Sequence, residues 1–189
     1  ECPLILKAEP DSRPVSEDLR RMLMELAALT DKLTVEWTPP SDGPERPCVR
    51  VLRADGTDTG IAFHGVPGGH EFNSFVVGLY NAAGPGQSID PALAEAIAAI
   101  DRPLDLQIVV ALSCTMCPEL VIAAQKIAAS NPLVTAKVYD VNHFPELRER
   151  YKIMSVPCLI INKAKVAFGK KTLGQLLELL AEPEDGQTG

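Results

Sequence analysis

Cys114-Thr115-Met116-Cys117-Pro118 stands between an apolar run, 106–112, and a helical pattern, 119–130. The order is strand, C-x-x-C, helix. It delivers two cysteines to the first turn of a helix, where unpaired backbone N–H groups and the helix dipole favour a negative charge. A thiolate suits such a place, and the thiolate is the nucleophile of disulfide exchange. Cysteines at this spacing can also bond to each other and close a small ring. A C-x-x-C can instead be half of a zinc site. No second C-x-x-C is present to complete one; His64 and His70 are six positions apart and His143 stands alone. Redox chemistry is therefore the first reading and metal the second.

The rest of the chain bounds that reading. Its 189 residues suffice for one large domain or two small ones with real cores. A net charge of −7 argues against nucleic acid and anionic membrane as partners. The apolar runs are too short to span a bilayer. The start, Glu1-Cys2-Pro3-Leu4, lacks the basic and apolar regions of a signal peptide. Five cysteines at this length do not make a disulfide scaffold and suit a reducing, cytoplasmic setting.

Periodicity and turn chemistry lay out the elements. Residues 4–8 read as a strand. Ser16 is placed to cap a helix whose Leu19, Met22, Leu23 and Leu26 share a face. Residues 33–37 form a strand with Trp37 in the core, and the Pro-rich stretch 39–44 a loop. Residues 48–52 and 60–63 form a hairpin turned at Asp55-Gly56. Phe72, Phe75, Val76 and Leu79 mark the buried face of a helix. Asp90 caps another, with Pro91 at its first position and Leu93, Ala96, Ile97 and Ile100 inward.

The second half follows suit. After the cysteine pair comes a helix burying Leu120, Ala123, Ala124, Ile127 and Ala128, then a strand over 134–141 and a short helix over 145–151. Residues 158–161 and 165–168 form a hairpin. Thr172 and Gln175 make a capping box for a last helix with Leu173, Leu176, Leu177 and Leu180 on one face. The segment 183–189 is expected to be a flexible tail.

One order of elements thus occurs twice. Each half runs strand, turn, helix, strand, then proline-cysteine at the head of a hairpin (Pro47-Cys48, Pro157-Cys158), then helix. The fold class is α/β: two fused units, 1–100 and 101–182, each with a mixed central sheet flanked by helices. The first has a Pro-rich loop in place of the middle helix. It also has Asp11-Ser12-Arg13-Pro14 where the second has its cysteines, so only the second can do thiol chemistry.

Strand, C-x-x-C, helix and a later hairpin proline resemble the thioredoxin and glutaredoxin pattern. Two tandem copies, only the second active, with Phe63-His64-Gly65-Val66-Pro67-Gly68-Gly69-His70-Glu71-Phe72 in the first, resemble one family more closely. That family is the N-terminal tandem thioredoxin-fold domain of the alkyl hydroperoxide reductase flavoprotein subunit, and the likeness runs from Leu4 to about Leu180. It implies a carrier that takes electrons from a thioredoxin-reductase-like flavoprotein and gives them to a peroxiredoxin-type peroxidase. FAD and NAD(P)H would then sit on a partner or on another domain, since no G-x-G-x-x-G is present. The chain departs from the family at Thr115-Met116, where His-Asn is usual, and at Cys158, where Ala or Thr is usual.

Roles follow. Cys114 is the expected nucleophile, the more exposed of the pair, at the helix N-cap; in such motifs the thiol pKa falls to between roughly 3.5 and 7.5. Cys117, one turn in, is expected to attack the mixed disulfide. The resemblance implies a cis peptide at Pro157 facing the cysteines, mirrored at Pro47. It also implies that Glu71, from the inactive copy, lies behind the pair as a buried proton relay. His70 reads as a helix-terminus residue, Cys158 as a small buried hydrophobe, and Cys2 and Cys48 carry no motif. Three alternatives stay open: a general protein disulfide oxidoreductase, a partner-docking module, and a metal carrier using Cys114, Cys117 and Cys158.

Overall fold

The computed structural model describes residues 2–183. The expected flexible tail lies outside them from residue 184 onward. In chain order the elements are β1 (Leu4–Glu9), α1 (Val15–Ala28), β2 (Leu33–Trp37), β3 (Cys48–Arg53), β4 (Asp58–His64), α2 (Glu71–Ala83) and α3 (Pro91–Ala98). Then come β5 (Leu104–Val110), α4 (Cys117–Ser130), β6 (Val134–Asp140), α5 (Pro145–Arg150), β7 (Cys158–Ile161), β8 (Lys165–Phe168) and α6 (Leu173–Ala181).

Each half contributes the same four-stranded pattern. β1 pairs parallel with β2 and antiparallel with β3, which pairs antiparallel with β4. β5 does the same with β6 and β7, and β7 with β8. The sequence led us to expect a sheet in each unit. Instead all strands form one eight-stranded sheet, β2-β1-β3-β4-β6-β5-β7-β8. β4 and β6 are the inner edges of the two patterns, and they pair in parallel, with Ile61 opposite Ala136 and His64 opposite Tyr139. An edge strand carries unpaired N–H and C=O groups, and a second edge satisfies them.

Side chains alternate between the sheet's two faces. Leu6, Val49, Phe63, Leu106, Ile108 and Val138 enter one core shared by both halves. Leu19 and Leu23 of α1, Phe75 and Leu79 of α2, Leu120 and Ile127 of α4, and Leu176 of α6 close it. On the other face Val109, Cys158 and Ile160 make a small second cluster, covered by Leu147 of α5 and by Tyr151 and Ile153. The first half has no helix between β2 and β3, as the Pro-rich loop implied. There the same face is charged: Glu9 pairs with Arg50 at 3.5 Å, and Arg50 with Asp58.

Several local expectations need correction. Pro14, not Ser16, occupies the N-cap of α1, and no side chain caps it. Ser16 lies in the first turn and gives its hydroxyl to Asp11 at 2.7 Å, because a buried carboxylate is the stronger acceptor. On α2, Phe72 and Val76 are exposed; the inward residues are Glu71, Ser74, Phe75, Gly78, Leu79, Asn81 and Ala82. The reason is α4, which packs so close that small residues must line the seam. A Cβ on Gly78 would stand 2.6 Å from Gln125 Oε1. On α3 only Ile97 is buried, with Leu93 and Ile100 at its margin and Ala96 exposed. Trp37 is half-buried at the core's edge, with the Arg20 guanidinium over its ring at 5.0 Å. The caps at Asp90 and Thr172–Gln175 are as expected.

Candidate redox site

β5 ends at Val110, and a tight turn leads to α4. Cys114 N donates to Ala111 O at 2.9 Å, which folds the turn back on the strand. Cys114 lies in this turn, Met116 is the N-cap, and Cys117 opens the helix. The expectation that Cys114 itself caps α4 is thus off by two residues. Pro118 sits in the first turn, where its missing N–H costs no helical bond. The pair is graded in exposure as expected: Cys114 is partly exposed, Cys117 fully buried. Burial pushes the Cys117 thiol pKa up, and the neighbouring Cys114 side chain and the charge of Glu71 add to it; a backbone hydrogen bond with Ala111 opposes them.

The Val156–Pro157 peptide is cis, and the Val156 carbonyl oxygen lies 3.9 Å from Cys114 Sγ. Pro157 is buried beneath the cysteine turn, and its own carbonyl accepts from Gly169 N at 3.0 Å. The Arg46–Pro47 peptide is also cis. A third, Gly84–Pro85, had no signal we recognised beyond its Gly-Pro turn chemistry.

Glu71 reaches this site from the other half. It opens α2 and is fully buried. The approach is made through backbone: His70 N donates to Leu112 O at 2.9 Å, just before the cysteines. Gly69 has φ +54°, and a Cβ there would meet Leu112 O at 2.5 Å, so only glycine fits. α2 and α4 then run side by side in the same direction, with Gly78 against Gln125 further along. Both helices begin at the redox pair. Burial raises the Glu71 pKa from an ordinary 4.5 to about 7, with the Ser74 hydroxyl pulling the other way. Ser74 donates to Glu71 Oε2, while Oε1 is buried with no hydrogen-bond partner among the described residues. His70 is exposed at the N-cap and its side chain caps nothing. Sequence reasoning missed Ser74; its only signal was a small polar residue one turn after Glu71.

The other cysteines stay apart from the pair. Cys158 faces the second cluster on the opposite side of the sheet, and burial pushes its thiol up to about 11. Cys48 is its counterpart after Pro47; burial, then the charge of Glu9, pushes its thiol up to about 12. Among the described residues no group of three or more His, Cys, Asp or Glu gathers as a metal site. No helix among them is long and apolar enough to cross a membrane.

In the first half, the place of the cysteines is filled by an arginine. Arg13 donates to Asp11 Oδ2 at 2.6 Å, to Arg46 O at 2.6 Å and to His143 O at 2.8 Å. Burial opposes the Asp11 carboxylate, but hydrogen bonds from Ser16 and Arg13 outweigh it and hold its pKa below the usual range. Where Cys114 faces the carbonyl before one cis-proline, Arg13 holds the carbonyl before the other.

A half-exposed cysteine ahead of a buried one, on a thioredoxin domain, is the arrangement of a thiol–disulfide oxidoreductase. Comparison with known proteins agrees. Residues 104–181 match the thioredoxin domain family. The solved N-terminal domain of alkylhydroperoxide reductase AhpF from Enterococcus faecalis is 37% identical, with a TM-score of 0.89 over 95% of this chain and 91% of that one. The chain belongs to the AhpF family of alkyl hydroperoxide reductases. The AhpF protein of Pseudomonas aeruginosa is 32% identical over 97% of this chain, and a protein named NADH dehydrogenase from Ferdinandcohnia aciditolerans 31% identical over 98%. The chain spans about a third of the length of these two relatives, 34% and 35%. Within this AhpF-family chain, both cysteines and Pro157 lie in the thioredoxin-matched segment, and Glu71 lies outside it.

Proposed function

We propose that the chain carries electron pairs as the Cys114–Cys117 dithiol, from a flavoprotein reductase to a disulfide on a peroxiredoxin-type peroxidase. The observation that carries this reading is buried Glu71 beside buried Cys117, behind a partly exposed Cys114. The Cys114 thiolate attacks one sulfur of the partner's disulfide, and the partner's other sulfur leaves as a thiolate. A mixed disulfide results. Cys117 gives its proton to the Glu71 carboxylate and attacks Cys114 Sγ. The Cys114–Cys117 disulfide forms, and the partner's second sulfur leaves and takes up a proton. Two electrons have passed, and a reductase dithiol reverses the sequence.

Flavin and nicotinamide belong to the reductase in this reading. No strand-to-helix turn of this chain carries G-x-G-x-x-G: the turn before α2 has Gly65, Gly68 and Gly69 at another spacing, and Gly69 is packed against the Leu112 main chain. A relative named NADH dehydrogenase fits a nicotinamide as the ultimate donor. The division into a redox-silent half, 1–100, and an active half, 101–182, and a reducing, cytoplasmic setting are parts of the same proposal.

A second reading, a general disulfide oxidoreductase, has one observation in its favour. Met116 and Met154, near the site, are 50% and 86% exposed, and methionine surfaces adapt to varied partners. Redox titration separates the two. A potential near the roughly −270 mV of thioredoxin supports the carrier, and one near about −120 mV an oxidant. The direct test couples the reduced chain to a peroxiredoxin disulfide and follows thiol transfer. A chain that reduces unrelated disulfides equally fast would not be a dedicated carrier.

A further inference from the structure

Ser74 is fully buried one turn into α2. Its hydroxyl has two acceptors from one residue: it donates to Glu71 Oε2, and the Glu71 main-chain oxygen lies at 2.9 Å. A hydroxyl has one hydrogen to give and lone pairs to accept with. While Glu71 is ionised, that hydrogen serves the carboxylate. Once Oε1 has taken a proton, Oε2 becomes the carbonyl oxygen of the acid and still accepts from Ser74, more weakly than the carboxylate did. One side chain therefore satisfies both states of the acid. It also fixes which carboxyl oxygen is anchored, since Oε1 has no partner among the described residues.

We propose that Ser74 is the positioning residue of the Glu71 relay: it anchors Oε2, leaves Oε1 free for the Cys117 proton, and goes on donating to Oε2 in both states of the carboxyl. This rests on Glu71 acting as the base, as in the proposed function. Few other titratable groups bear on Glu71. α4 presents Cys117, whose thiol feels the Glu71 charge, and the turn before it holds Cys114. β1, β3 and β4 turn apolar side chains such as Leu6, Val49 and Phe63 into the core under α2. His70 precedes Glu71 but is exposed. The bland alternative is that Ser74 merely back-bonds along its helix, a common habit of serine.

The test uses the full chain with Ser74→Ala, Ser74→Thr and Glu71→Gln. Carbon NMR with labelled glutamate follows the Glu71 carboxyl, which Glu71→Gln assigns by removing it. A hydrogen bond to the charged form lowers an acid's pKa, so Ser74→Ala should raise the midpoint by about one pH unit. Ser74→Thr keeps the hydroxyl and should return it. In parallel, a mixed disulfide between Cys114 and a chromophoric aromatic thiol reports the rate of Cys117 attack from pH 5 to 9. The acid limb in Ser74→Ala should move upward with the midpoint, slowing release about tenfold at pH 6. Ser74→Cys, a weaker donor, should fall between if the threonine methyl disturbs folding. An unmoved carboxyl midpoint in Ser74→Ala overturns the proposal whatever the kinetics. Failure of the base reading looks different. Glu71→Gln would then release thiol at the wild-type rate throughout while Ser74→Ala still moved the midpoint, leaving Ser74 an anchor outside any relay and overturning the proposal by another route.

Discussion

Glu71 and Cys117 are the first residues of two parallel, packed helices, and both are fully buried at the same end. They come from opposite halves of the chain, so the proposed site draws on both. A carboxyl kept neutral or charged near pH 7 is suited to pass a proton to and from a thiol that burial keeps protonated.

Replacing Glu71 by glutamine keeps the shape and removes the base. We expect Cys117 attack on the mixed disulfide to slow about 100-fold near pH 7, the lower end for loss of a general base. The loss should shrink toward pH 9, where hydroxide takes over. Stopped-flow release of the partner thiol across that range measures it. A variant matching wild type at every pH would leave Glu71 without a chemical role.

The same group ties stability to pH. Its pKa is about 7 in the folded chain against an ordinary 4.5, so the native state binds the proton more tightly. The contribution is fully present below about 4.5 and is lost as pH rises through about 7. The difference is on the order of 3 kcal/mol. Wild type should therefore lose denaturant resistance between pH 5 and 8 by more than Glu71→Gln does. Equal slopes would mean that the carboxyl titrates as it does in water.

The order of attack is separable by trapping. Cys117→Ser should accumulate a dithiothreitol-sensitive mixed disulfide with the acceptor, because Cys114 can attack and nothing releases it. Cys114→Ser should trap little, because Cys117 is buried. Equal trapping by both would reverse or erase the assignment.

Much of this was legible locally. The C-x-x-C between strand and helix, the Thr172–Gln175 capping box and the two proline-cysteine hairpins each depend on neighbours in sequence, and each stands where periodicity and turn chemistry put it. What escaped depends on distant contacts. Nothing in the alternation of β4 or β6 says that two edges will pair. Of the apolar face that periodicity marks on α2, Phe75 and Leu79 are buried but Phe72 and Val76 are exposed, and the seam with α4 takes Glu71, Ser74 and Gly78 because close helix approach demands small side chains. Arg13 looked like a turn residue, but its guanidinium reaches the His143 carbonyl in the other half.

Thiol reactivity should follow burial. Cys2 is exposed and Cys114 partly so, while Cys48, Cys117 and Cys158 are buried with thiols pushed up. Alkylation of the reduced, native chain at pH 8 should mark Cys2 and Cys114 within minutes and the other three only on unfolding. Mass spectrometry of the digested product reads this directly. Rapid labelling of Cys158 would mean that the second cluster opens to solvent and that a third thiol can enter the chemistry.

Gly69 tests whether the contact between the halves matters to the site. Its φ of +54° and the 2.5 Å approach of Leu112 O to any added Cβ are separate penalties. Gly56 has a φ of +86° with nothing within 4 Å, so it carries the first penalty without the second. Gly56→Ala should cost about 1 kcal/mol, the price of a left-handed backbone, and leave thiol exchange untouched. Gly69→Ala should cost more, because main chain must shift at both Gly69 and Leu112. That shift would break the His70 N to Leu112 O bond and draw the start of α2 away from α4. Water would then reach Glu71, its midpoint would fall from about 7 toward 4.5, and the base would weaken. Carboxyl titration and mixed-disulfide release in both variants separate backbone strain from displacement. If Gly69→Ala loses stability yet keeps the Glu71 midpoint and the release rate, the glycine serves the fold alone and the halves need not touch at this point for the chemistry to run.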